Sequence, residues 1–156
     1  MMRHVRSARR AAVVAATAIA FGACTADEHG HEAEVEFMQV TVGATTVTVN
    51  ATGAITGGPI TMTAESEEAV SVVFLDVDMA EALGEHADDY QVNITTPAEL
   101  TFTRNGPFGG TLLSTSATPG TYNIQVSLFH IPESHADFGA FGVPVTVVAP
   151  AALAGH

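Results

Sequence analysis

Residues 121–128 alternate without a break: Tyr122, Ile124, Val126 and Leu128 are apolar, and Thr121, Asn123, Gln125 and Ser127 between them are polar. A period of two puts all the apolar side chains on one face of an extended chain, so this stretch is stable only as a strand with one face buried and the other wet. Thr118-Pro119-Gly120 in front of it is a turn signal, because proline presets φ and glycine accepts φ > 0. Pro132 has no N–H to donate, so the ladder should stop soon after His130. On this reading His130 sits at the mouth of the strand, and His135 and Asp137 follow in an irregular loop that reaches Phe138.

The rest of the chain follows the same rule. Met38, Val40 and Val42 alternate with polar neighbours, Gly43-Ala44 turns, and Val47 and Val49 alternate with Thr46 and Thr48. Further short strands are expected at residues 60–63, 69–75, 90–95, 100–103, 111–114 and 143–148, punctuated by Gly53, Gly57-Gly58-Pro59 and Asn105-Gly106-Pro107. Valine and threonine dominate these runs, as half-buried pleated surfaces favour. Helical periodicity is confined to a weak pattern over Met79–Leu83. Regularly spaced strands with Gly/Pro turns imply an all-β antiparallel sandwich, one domain over residues 37–149 with a short tail at 150–156. With no tryptophan in the chain, Phe74, Phe102, Tyr122 and either Phe129 or Phe138 must supply the aromatic bulk.

The N-terminus points to export. Arg3, Arg6, Arg9 and Arg10 precede a short apolar run over residues 11–23, the basic-then-apolar order of a secretory signal, and the run is too short to span a bilayer. Phe21-Gly22-Ala23-Cys24 resembles the lipobox of bacterial lipoproteins, with Phe21 where that family usually has Leu. The resemblance implies cleavage after residue 23 and diacylation of Cys24, hence a membrane-anchored envelope protein. Thr25 after the cysteine leans the expected address toward the outer membrane, or else the periplasmic face of the envelope. The plain alternative is ordinary cleavage that leaves a free thiol. One cysteine excludes an intramolecular disulfide, so the exported domain must be held by its core.

Without residues 1–23, one arginine and no lysine face all 17 carboxylates, a net charge near −16 with histidine neutral. Such a surface excludes nucleic acid as a partner, since phosphate binding needs Lys and Arg to displace counterions. Residues 24–36 are polar, acidic and aperiodic, and read as a flexible tether. Within it His29-Gly30-His31 lies among Asp27, Glu28, Glu32 and Glu34, either a loose trap for Zn²⁺ or Cu²⁺ or an incidental pair in a solvated linker.

Thr96-Pro97-Ala98-Glu99-Leu100-Thr101-Phe102, the glycine turn before Gly110-Thr111-Leu112, and Ala117-Thr118-Pro119-Gly120-Thr121-Tyr122-Asn123-Ile124 resemble the C-terminal half of bacterial Ig-like domains. Val73-Phe74-Leu75-Asp76-Val77-Asp78 is similar to that family's early strand ending in an acidic turn, although the turn glycine is missing. The resemblance implies a single Ig-like antiparallel β-sandwich of the kind used in adhesion modules and spacers, and it carries no activity with it. The stretch 130–138 departs from the family pattern, which has a short turn there.

Three constellations carry coordination chemistry. His130, His135 and Asp137 have the spacing H-x4-H-x-D, and His86 lies in a second acidic loop, Glu85-His86-Ala87-Asp88-Asp89. Loops at one end of a sandwich converge, so these four would supply three imidazoles and a carboxylate to Zn²⁺ or Cu²⁺. The bland alternative has His130 satisfied at a strand end and Asp137 capping a turn. Asp76, Asp78 and Glu81 offer carboxylates for Ca²⁺, or simply end a strand in water. Catalysis finds no foothold: Ser114, Ser116 and Ser127 lack a Gly-x-Ser-x-Gly elbow, and no glycine-rich phosphate loop is paired with a lysine. The expected role is therefore a non-catalytic envelope module that engages another protein or envelope component, with transition-metal binding as the alternative.

Overall fold

The computed structural model describes residues 34–115 and 118–151. The expected signal peptide, Cys24 and the His29/His31 pair lie outside these described residues. Ten strands are present: β1 (Phe37–Val42), β2 (Thr45–Asn50), β3 (Ile55–Gly57), β4 (Ile60–Thr63), β5 (Glu67–Leu75), β6 (Tyr90–Thr95), β7 (Leu100–Gly106), β8 (Gly109–Ser114), β9 (Gly120–His130) and β10 (His135–Val148). They form a six-stranded sheet in the order β3-β2-β1-β5-β8-β7 and a four-stranded sheet in the order β4-β10-β9-β6. Every pair is antiparallel except β4 with β10.

The expected all-β sandwich is what the chain forms, and its connectivity is immunoglobulin-like. The run β1-β5-β8-β7 has the A-B-E-D order and β10-β9-β6 the G-F-C order of that sandwich, with the β2–β3 hairpin extending the first sheet. Tyr122, near the start of β9, donates its hydroxyl to the Thr118 carbonyl at 3.0 Å. A tyrosine bonded back to the chain at this corner is a hallmark of the fold.

On its apolar face the phase read from the sequence holds through β9, whereas Ser127 on the opposite face is buried too. Ile124, Val126 and Leu128 are fully buried, facing Met38, Val40, Val49 and Leu112 within one core. Phe74 stands edge-on to Phe108 and to Phe138, each 6.2 Å away, and Phe138 meets Phe141 at 5.3 Å. Phe138, not Phe129, joins Phe74 in the core, Tyr90 is a further buried ring absent from the expected set, and Phe102 and Tyr122 pack at the margin. The weak helical pattern over Met79–Leu83 is not a helix. Asp76 Oδ1 accepts the N–H groups of Asp78 (2.8 Å) and Ala80 (3.0 Å), and Met79 turns through the left-handed region at φ 62. A carboxylate that bonds nearby backbone offers the chain a turn in place of a helix. The helical content nearby is a 3₁₀ segment, Gly84–Asp89.

The last strand differs most from expectation. In place of an irregular loop to Phe138 and a strand at 143–148, β10 begins at His135, and a four-residue turn joins it to β9. Two bulges explain why the alternation was not visible. Ala136 pairs with Phe129 and Phe138 with Leu128, so Asp137 is unpaired; Gly139 pairs with Ser127 and Phe141 with Val126, so Ala140 is unpaired. Each extra residue breaks the period of two, and the core phase resumes at Val143, opposite Ile124.

Arg104, the sole Lys or Arg of residues 34–156, ties the edges of the two sheets. From β7 its guanidinium donates to three acceptors on β6: the Gln91 side chain, the Val92 carbonyl at 2.7 Å and Asn93 Oδ1 at 2.9 Å. The Val92 N–H in turn donates to the Pro107 carbonyl at 2.7 Å, so the β7–β8 turn closes the same seam.

Candidate metal centre

A row of three residues crosses the four-stranded sheet at one end. Tyr90 of β6 pairs with His130 of β9, and His130 pairs with His135 of β10. His130 is two residues beyond Leu128, so it shares the core-facing side of β9 and lies at the core's rim with its side chain 14% exposed. The Tyr90 ring stacks on it at 4.6 Å and 16°, fixing the plane of the imidazole, and His135 stands edge-on at 5.7 Å.

The bulge supplies the carboxylate. Asp137 and Phe138 both oppose Leu128, and the side chains of both withdraw from solvent, Asp137 to 9% exposure. His130, His135 and Asp137 each offer a ligand atom, and these atoms lie within 4.8 Å of one another. His135 Nε2 is 2.6 Å from Asp137 Oδ1, and His130 Nδ1 is 3.8 Å from Asp137 Oδ2. Neither contact is a hydrogen bond: His130 Nδ1 and both Asp137 oxygens are buried without a hydrogen-bond partner. Buried polar atoms are nearly always satisfied, and leaving one unpaired costs about 1–3 kcal/mol. Such atoms, grouped within 4.8 Å with a nitrogen of His135, suit a divalent cation, whose charge would satisfy all of them.

Sequence spacing thus singled out three residues that the fold brings together. His86 is not among them: it lies in the 3₁₀ segment, half exposed, with Nδ1 3.9 Å from Asp89 Oδ2. Asp76, Asp78 and Glu81 form no such group among the described residues, and one oxygen of Asp76 is committed to its turn. Glu133 was missed. Its Oε2 lies 3.7 Å from His130 Nδ1 and 3.5 Å from His135 Nδ1. Tyr90 was read only as a strand residue, because nothing in its own neighbourhood announces the stacking partner forty residues later.

No protein-family model matches the chain and no curated protein is recognisably similar to it, so kinship with bacterial Ig-like domains has no support beyond the motifs at 73–78 and 96–124.

Proposed function

We propose that this sandwich binds a divalent transition-metal ion, Zn²⁺ or Cu²⁺, at the β9–β10 hairpin through His130, His135 and Asp137, and does so as an exported, lipid-anchored protein of the bacterial envelope. The observation that carries the metal reading is the buried, unpartnered trio of His130 Nδ1 and the two Asp137 oxygens. Imidazole and carboxylate are the donors that Zn²⁺ and Cu²⁺ share, whereas Ca²⁺ takes six to eight oxygens and Cu(I) seeks sulfur. The acidic charge of the chain attracts cations toward the site. The export part rests on the basic head, the apolar run and Cys24.

Calorimetric titration tests the metal reading. His29→Ala/His31→Ala removes the tail's own loose binding, and in that background Zn²⁺ or Cu²⁺ should bind saturably at one site. Adding His130→Ala/His135→Ala should abolish it. Equal binding by both proteins, or none by either, refutes the proposal. Cys24→Ser should release the protein from membranes; membrane fractionation unchanged by that substitution would refute the anchor.

A second reading, a non-catalytic interaction module of the envelope, draws on a mostly apolar depression of about 260 Å³ lined by Val72, Phe74, Leu83, Ala87 and Phe108, with Glu81 the one charged side chain in its wall. Its lining has little partner-specific chemistry, so the hairpin site carries the more definite function.

A further inference from the structure

The turn between β9 and β10 has a fixed shape. The Ser134 N–H donates to the His130 carbonyl at 2.9 Å, Ser134 itself sits in the left-handed region at φ 58, and the Ile131 N–H donates to the Asp89 carbonyl at 2.8 Å. Held at both ends, the turn presents Glu133 over the two imidazoles. Its Oε2 reaches within 3.7 Å of His130 Nδ1 and 3.5 Å of His135 Nδ1, while its side chain remains 53% exposed. Asp137, nine-tenths buried with neither oxygen hydrogen-bonded, faces the same His130 Nδ1 but the other nitrogen of His135, Nε2 at 2.6 Å, so the exposed Glu133 side chain must swing toward Asp137 for one ion to reach both carboxylates.

Resting on the metal reading, we infer that Glu133 is the fourth ligand, closing the hairpin into a two-imidazole, two-carboxylate centre for Zn²⁺. Four protein donors complete a tetrahedral shell, the arrangement of sites that hold zinc; sites that use it for catalysis keep one position open for water or substrate. Charge supports the set. Two carboxylates and two neutral imidazoles balance a divalent cation, so the ion would offset the buried Asp137 charge, which otherwise has only the imidazoles of His135 (2.6 Å) and His130 (3.8 Å) beside it. No sulfur belongs to the group, which sets the centre against Cu(I). The donors divide by depth, His130 and Asp137 inside, Glu133 and His135 outside. The ion therefore enters and leaves past Glu133, and the centre is built to hold and exchange a cation.

Co²⁺ reports coordination number, because four-coordinate Co²⁺ absorbs visible light far more strongly than five- or six-coordinate Co²⁺. The full mature chain carrying His29→Ala/His31→Ala is loaded with Co²⁺, with and without Glu133→Gln, and each is then given azide as an outside ligand. With Glu133 in place the spectrum should be intense and indifferent to azide. Glu133→Gln should bind Co²⁺ and Zn²⁺ at least tenfold more weakly, as losing even an outer-sphere partner costs 10–100-fold, and its spectrum should change on adding azide. Glu133→Asp should retain part of the affinity. Because Glu133 is exposed in a turn, thermal melts of the metal-free proteins should coincide. If Glu133→Gln binds with unchanged affinity and spectrum, or the parent takes up azide, Glu133 is not a ligand and only this inference falls. If the parent binds neither ion, the metal reading falls as well.

Discussion

Tyr90 and His130 face each other across β6 and β9 with their rings stacked at 4.6 Å, so the innermost imidazole is oriented by the sandwich itself. A ring held this way reaches a cation with little entropy left to lose. Tyr90→Leu keeps an apolar side chain but removes the plane. Aromatic pairs contribute about 0.5–1.5 kcal/mol beyond burial, so the unfolding free energy read from urea melts should fall by at least that order. Metal affinity should fall with it, and an unchanged titration would mean that the stack does not position His130.

Asp137 should change sign with the ion. In metal-free protein Asp137→Ala removes a buried carboxylate that has no hydrogen bond and only imidazole neighbours, and at a pH where those imidazoles are neutral it should leave stability equal or higher. At about 100 times the dissociation constant of Zn²⁺, the parent gains about 2.7 kcal/mol, and the variant should gain little of it. Melts in chelator and in excess Zn²⁺ would display the crossover. A variant that is less stable under both conditions would assign Asp137 a structural duty.

Ile124 and Gln125 test the core. Ile124 is fully buried and Gln125 lies on the opposite, solvent face of β9. Ile124→Ala should cost about 2–4 kcal/mol and Gln125→Ala no more than about 0.5, measured by denaturant midpoints.

These two residues also mark how far the sequence could be read. Where the strand is regular, as in β9 and in β6 (Tyr90–Thr95), residue parity gave face and boundaries together. It failed over residues 135–142, because the unpaired Asp137 and Ala140 each advance the chain by one residue without advancing the ladder. Two expectations about the site inherited that failure: the irregular loop, and the omission of Glu133, whose place over both imidazoles follows only once His130 and His135 are known to pair. Spacing did find His130, His135 and Asp137. It had no means of separating them from His86, since which loop residues meet depends on a tertiary register absent from local pattern.

Arg104 gives a test at the other margin of the sheets. Arg104→Ala leaves the Val92 carbonyl, Asn93 and Gln91 without their donor and should cost about 1–3 kcal/mol. Arg104→Lys should recover only a fraction, because an ammonium cannot reproduce the planar fork that serves three acceptors. Full recovery by lysine, read from thermal melts, would reduce the role to charge alone.

Gly110 and Gly106 are a matched pair near the two ends of the β7–β8 turn. A Cβ on Gly110 would meet the Thr103 carbonyl oxygen and lie 2.7 Å from the Phe102 ring, whereas at Gly106 it meets nothing within 4 Å. Gly110→Ala should therefore destabilise by about 1–3 kcal/mol, and Gly106→Ala should fall within about 0.5. Equal melting temperatures would show that the hairpin yields without cost.

The bulge at Asp137 separates two properties that usually travel together in a strand. Because Ala136 pairs with Phe129 and Phe138 with Leu128, a chain lacking Asp137 would still match every other residue of β10 to its present partner. Asp137 is thus a surplus residue in the ladder, and the hydrophobic frame from Val143 to Val147 takes its phase from β9 and not from the length of β10. The hairpin end can gain or lose donor groups without re-indexing the core. Asp137, alone among the described carboxylates in having buried oxygens without a hydrogen bond, stands at a position where the sandwich asks for no residue at all, and what that position supplies is charge.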